Sequence, residues 1–174
     1  MWSRKAAFLV AAALLVAACQ VRPLYMDQTS GGPLSPVPDM RAVEVDPPRN
    51  RTEQALSNEL LFLLRGDGGP ADQARYRLRY ITDFGTDPLA VELEEDLPAA
   101  VLVTLNVTFI LTEIDTDETL LTGAAKATAS YDFSSQRFSN VRAERDAATR
   151  AAKTAAENIA TRLASYFAAK RSDT

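Results

Sequence analysis

The chain predicts an α+β domain of two layers, with two helices packed on one face of a four-stranded mixed sheet. Three observations predict it. Two long segments, Val101 to Ile114 and Thr119 to Phe133, are joined by Asp115-Thr116-Asp117-Glu118, which is turn chemistry, so they form a β-hairpin. Two other stretches carry apolar residues at spacings of three and four and read as amphipathic helices. The full order is strand, helix, strand, strand, strand, helix. A helix must bury one stripe and a sheet one face, and two layers satisfy both.

The elements follow in order. Residues 1–18 precede them and have the layout of a secretory signal: Arg4 and Lys5, then an uncharged apolar run from Ala6 to Ala17, then small residues before Cys19. The run is shorter than the about 20 residues that span a bilayer. Val16-Ala17-Ala18-Cys19 resembles a bacterial lipoprotein signal. That resemblance implies that Cys19 is acylated and becomes the first residue of the mature chain. Gln20 stands where an Asp tends to hold such proteins at the inner membrane, which points to the outer membrane. Residues 19–39 hold Gly31, Gly32, Pro33, Pro36 and Pro38 without an apolar period and read as a flexible tether. The domain is expected over 40–170, followed by a short tail.

Arg41 to Asp46 alternates and is stopped by Pro47-Pro48, a short strand. Asn50 with Glu53 three residues on is a helix start of the capping-box kind. Leu56, Leu60, Leu63 and Leu64 then place a helix over Arg51 to Leu64, which Gly66 to Pro70 ends. Arg75 to Tyr80 has strict period two, with Arg75, Arg77 and Arg79 on one face and Tyr76, Leu78 and Tyr80 on the other. Asp83 to Pro98 reads as acidic and irregular.

The hairpin's first strand presents Val101, Val103, Leu105, Val107, Phe109 and Leu111 on one face, with Thr104, Asn106, Thr108 and Thr112 opposite. Its second strand is expected to bend near Gly123. The last helix runs from about Val141 to Ala168. Its stripe is Ala148, Ala152, Ala155, Ile159, Leu163 and Phe167, with Asn140 or Ser139 as the cap. Asp146 and Arg150 are spaced to pair. The first strand–helix–strand unit crosses over right-handedly if its strands are parallel, which makes the sheet mixed.

Composition narrows the chemistry. The 174 residues contain no histidine and one cysteine, which removes Ser-His-Asp and Cys-His nucleophiles, His-based zinc sites and any internal disulfide. With 19 basic residues, two of them in the signal, against 23 acidic ones, the mature chain is acidic and a nucleic-acid partner is not expected. The charge is uneven: no Lys or Arg occurs from Tyr80 to Ala125, where the acids concentrate. Such asymmetry marks a partner surface or two opposed faces.

Glu92, Glu94, Glu95 and Asp96 could supply a carboxylate pair for glycoside hydrolysis, but four acids in a Pro-bounded segment read better as a solvated surface. Asp115 and Asp117 lack the glycine and distal glutamate of a calcium loop. Gly66 to Gly69 lacks the Lys-Ser/Thr ending of a phosphate loop. The basic set Arg75, Arg77, Arg79, Lys126 and Arg137 is the stronger candidate, because arginine forks match phosphate geometry. These five are candidates for contact with a phosphorylated lipid head group; the alternative is that they solvate the outer face of the sheet.

Cys19-Gln20-Val21-Arg22-Pro23-Leu24-Tyr25 resembles the start of the mature LPS-assembly lipoproteins of the LptE family, in which the cysteine is followed by a short stretch ending in Pro-Leu-Tyr. Ser130-Tyr131-Asp132, with the run from Gln136-Arg137-Phe138-Ser139-Asn140-Val141-Arg142 to Asp146, resembles that family's strand-to-helix junction. Gln20 and Val21 depart from it, since Gly and an aromatic are common there. The resemblance implies a non-catalytic protein without cofactors, lipid-anchored at the periplasmic side of the outer membrane. It implies as partners an LptD-type outer-membrane β-barrel and lipopolysaccharide, whose delivery to the outer leaflet the protein assists. Two other readings stay open: an auxiliary lipoprotein of a phospholipid-transport complex, and an envelope glycosidase using the acids at 92 to 96.

The signal gives the first prediction. Cells fed labelled palmitate will label the wild-type chain and leave Cys19→Ala unlabelled; label retained on the variant excludes acylation at this position.

Overall fold

A computed structural model of the protein describes residues 37–66, 71, 73–92 and 97–172. The signal, Cys19, the tether up to residue 36, Asp67 to Pro70, and Glu94, Glu95 and Asp96 lie outside the described residues.

One sheet has the strand order β1-β2-β3-β4. Strand β1 (Val43–Val45) runs parallel to β2 (Tyr76–Glu92), with Val43 opposite Tyr76 and Val45 opposite Leu78. Strands β2 and β3 (Leu97–Glu113), and β3 and β4 (Thr119–Asp132), pair antiparallel. The sheet is therefore mixed, and helices cover one face, as the sequence predicts. Among the described residues there are three helices rather than two: α1 (Val37–Arg41), α2 (Arg51–Arg65) and α3 (Arg137–Ser172).

Helix α2 begins as its residues dictate. Asn50 Oδ1 accepts from the Glu53 N–H at 2.9 Å, and Glu53 Oε2 accepts from the Arg49 N–H at 2.7 Å. The glutamate thus satisfies the residue before the cap rather than the cap itself. Gly66, at φ 83°, closes the helix with its N–H on the Phe62 carbonyl at 2.7 Å. This is the left-handed position that glycine fills without penalty. Leu56, Leu60 and Leu64 are buried beneath it.

Helix α3 has 36 residues. The predicted stripe is buried in full, and Ala147, Ala151, Ala156, Ala160 and Ala164 widen it. It packs against α2, β4 and β3. Asp146 and Arg150 pair at 2.9 Å as expected, and Arg150 also donates to the Ser130 carbonyl at 2.8 Å. The helix begins four residues before Val141, so Asn140 lies inside it and is no cap. Its side chain accepts from the Ser134 N–H at 2.8 Å and donates to the Ser134 carbonyl at 2.7 Å, bracing the preceding loop.

Three further expectations are corrected. The segment from Asp83 to Pro98 is not irregular: β2 continues to Glu92 and β3 starts at Leu97. An unbroken register from Tyr76↔Glu113 to Pro88↔Val101 holds it, so pairing with the apolar β3 run overrides the poor strand propensity of Asp, Gly and Pro. Among the described residues of this segment, the register shifts only between Pro88 and Val91. Strand β4 does not slip at Gly123, which pairs in register with Phe109; the shift lies at Leu111/Thr112. Finally, the end of the tether is ordered. Helix α1 carries Asp39, which is buried and accepts from the Arg75 and Arg171 guanidinium groups, the latter at 2.7 Å.

Gly123 is needed for space. A Cβ there would lie 2.6 Å from Phe109 Cζ, and Phe109 is fully buried. Gly123→Ala is expected to cost about 1–3 kcal/mol by overpacking. Phe109→Leu in the Gly123→Ala background should cost less than the two single substitutions added together; simple additivity in urea unfolding would refute this account.

Candidate functional site

The sheet has a covered and an open face. Tyr76, Leu78, Tyr80, Val103, Leu105, Val107, Phe109 and Leu111 point to the helices and are buried. Residues of the other parity face away: Arg77, Arg79, Ile81 and Asp83 on β2; Thr104, Asn106, Thr108 and Ile110 on β3; Thr122, Ala124, Lys126 and Thr128 on β4. The open face is therefore hydroxyl-rich, with a few charges set into it.

The five candidate cations do not gather at one place. Arg75 sits just before β2 and pairs with Asp39, its guanidinium 5.3 Å from the Tyr76 ring. Arg77 pairs with Glu44 at 3.3 Å; both side chains are about half exposed, so the pair contributes little. Arg79 and Lys126 are exposed on the open face and have no ion-pair partner among the described residues. They stand two strands and four positions apart, about 16 Å. Arg137 opens α3, whereas Arg75 shares Asp39 with Arg171 at the far end of that helix, about 50 Å away at 1.5 Å per residue. Arg79 and Lys126 share the open face; Arg137 stands with Arg142 and Arg145 on the first turns of α3.

The acids divide in the same way. Asp83 and Asp87 are exposed on β2, and Asp83 accepts from Asn106 at 3.4 Å. Glu53 is buried, with Oε1 accepting from Thr82 Oγ1 at 2.9 Å and Oε2 from the Arg49 N–H. Asp39 is buried between two guanidinium groups. Both buried carboxylates are thus saturated with donors in structural roles. Glu92 lies at the end of β2, with its acidic neighbours outside the described residues. Among the described residues no group of three or more acids or cysteines is placed to hold a metal ion.

Two features escaped sequence reasoning. One is the Asp39 cluster, where Arg75 and Arg171 converge and Lys170 stands 5.5 Å from the Tyr76 ring. The other is the polar pocket of Glu53, Ser57 and Tyr80 under α2. The Tyr80 hydroxyl is buried there without a partner in hydrogen-bond geometry. Burial, and after it the nearby Glu53 charge, pushes Tyr80 up to about 12. Burial and Asp39 raise Tyr76 in the same direction.

The protonated tyrosine is therefore the form the fold favours. Its contribution is complete below pH 10, the unfolded value, and is lost as pH rises from 10 through about 12. Over that window Tyr80 should account for about 2–3 kcal/mol of lost stability, and Tyr80→Phe should remove that part of the fall. At pH 7 the same substitution should be close to neutral, because the hydroxyl it removes has Ser57 nearby but no partner in hydrogen-bond geometry among the described residues. Urea unfolding at pH 7, 9 and 11.5 checks both; an equal alkaline fall in the variant refutes the assignment.

The comparisons with known proteins complete the description. Residues 40–163 match the model of the family described as LptE, lipopolysaccharide-assembly. None of the curated proteins compared with the chain matches it. Among solved structures, a lipoprotein of Caulobacter crescentus CB15 is similar at a TM-score of 0.64 and 18% identity, covering 79% of this chain and 98% of its own. A minor lipoprotein of Acinetobacter baumannii is similar at a TM-score of 0.51 and 17% identity, covering 71% and 88%. At those identities the likeness is one of fold.

Proposed function

The chain belongs to the LptE lipopolysaccharide-assembly family, and from that premise we propose that it partners an LptD-type outer-membrane β-barrel and assists both the assembly of that barrel and the delivery of lipopolysaccharide to the outer leaflet. The family match over residues 40–163, most of the folded body, is the observation that carries this reading. The lipoprotein fold of its structural neighbours supports it. In this reading Cys19 carries the acyl chains that hold the body at the periplasmic side of the outer membrane. No helix among the described residues is long and apolar enough to cross a membrane. The role needs no catalysis and no cofactor.

For lipopolysaccharide contact, Arg79 and Lys126 are the leading positions. Among the described residues they are the open-face cations without a carboxylate partner, so their charge is available to a phosphate. Arg75 and Arg77 already have carboxylate partners and rank behind them. Arg137 stands at another end of the molecule and would make a separate contact.

Gentle detergent extraction of outer membranes, followed by affinity capture of the tagged chain, should recover a large β-barrel in stoichiometric amount. Its absence would overturn the partnership. Charge reversal at Arg79 and Lys126 together should weaken lipopolysaccharide binding at least fivefold while leaving barrel recovery unchanged. Unchanged lipid binding would remove both residues from the contact.

A further inference from the structure

The sheet has two long edges, and the fold treats them differently. At β4 the Arg150 guanidinium occupies the Ser130 carbonyl, and Arg162 reaches over the strand at Gly123. Among the described residues the outer edge of β2 has no such guard. Strand β1 pairs only with Tyr76 to Leu78, and its ladder ends where the Asp46 N–H meets the Leu78 carbonyl at 3.0 Å. Because that carbonyl points away from β3, alternation along β2 sends the N–H and C=O groups of Tyr80, Thr82, Phe84 and Thr86 to the same side. None of them has a backbone partner there among the described residues. Pro88, which has no N–H to offer, closes the open stretch, as prolines do on edge strands.

This edge also exposes apolar side chains on both faces. Ile81 is 70% exposed on the open face, Phe84 is 41% exposed on the other, and Leu89 is 53% exposed beyond them. Between them Asp83 and Asp87 lie on one face, four positions apart, in a run that holds no Lys or Arg from Tyr80 to Ala125.

We propose that the β2 edge from Thr82 to Pro88 is a docking site for an extended basic segment of a partner protein, which adds as a fifth strand. Main-chain hydrogen bonds would supply the attachment, and alternate side chains the selectivity. Lysines or arginines on one face of the incoming strand meet Asp83 and Asp87 and lay their methylene stems on Ile81, while apolar residues on its other face cover Phe84. The same aspartates disfavour a second copy of this chain, because antiparallel pairing of two β2 edges sets acid against acid. The inference goes beyond the proposed lipopolysaccharide role and does not depend on it.

The test uses the processed protein in detergent and three capped twelve-residue peptides: alternating Lys-Val, alternating Glu-Val, and Lys-Val with every second amide N-methylated. The Lys-Val peptide should bind and slow hydrogen exchange at the Thr82, Phe84 and Thr86 amides by at least tenfold. N-methylation should abolish binding without any change to the protein. Asp83→Lys with Asp87→Lys, both at exposed positions, should weaken the Lys-Val peptide at least tenfold and admit the Glu-Val peptide. The proposal is overturned if the bound peptide leaves those amides unprotected, or if the double variant binds as the wild type does. It is equally overturned if the three amides are protected before peptide is added, which would mean that the chain's own residues fill the edge, or if sedimentation shows a dimer held through it. Loss of the β-barrel partner in extraction would bear on the proposed function alone, since none of these measurements uses it.

Discussion

The close approach of α3 to β4 is the contact on which the rest of the structure depends. Ala147, Ala148, Ala151, Ala152, Ala155 and Ala156 on α3 and Ala125, Ala127 and Ala129 on β4 are all buried, and the two elements pack together, so both bring small side chains to the core between the layers. Methyl-on-methyl packing gives little area per residue, and the helix offsets that with length. Its later turns, where Ile159, Leu163 and Phe167 replace alanine, run on beside α2 and over Tyr76, whose ring lies 5.0 Å from that of Phe167. Were the alanines larger, the helix would ride higher and the deep contacts of Leu163 and Phe167 would open, since interiors are packed to crystal-like density.

That geometry explains the shape of the core. Helix α2 reaches β2 at Thr82, whose hydroxyl donates to Glu53. Beyond that point the β2–β3 ribbon continues with α3 over β3 and β4 alone, and Phe84 is left half-open. The ribbon is long because β3 presents an apolar face along its whole length and keeps its register with β2 to Pro88. Helix α2, at 15 residues, is about 23 Å long beside 17-residue strands of about 56 Å, and the stretch of β2 beyond it is where side chains and backbone groups stay available.

What could be read from the sequence was what is encoded locally. The hairpin, the α2 cap at Asn50, the Asp146–Arg150 pair and the stripe on α3 each follow from neighbours within a few positions, and each appears in the structure. The misses share a different cause. The extension of β2 through Asp83, Gly85 and Pro88 depends on its partner strand, which no local propensity reports. Gly123 read as a bend because the ring it accommodates belongs to another strand. Asp39 read as tether because one of its partners, Arg171, lies 132 residues away. The candidate cations show the same division: alternation placed Arg77 and Arg79 on one face, but only the assembled sheet shows that Glu44 pairs with the first, while the second has no ion-pair partner among the described residues.

The Asp39 cluster has a mechanical meaning. It joins the segment where the described chain begins to the last turn of the longest helix, and it lies beside the three-residue β1. A pull arriving through residues before Val37 meets two charge-assisted bonds to Arg75 and Arg171 before it meets the β1 ladder. Those bonds tie the load to β2 on one side and to α3 on the other, so tension spreads into both layers at once rather than peeling a short edge strand.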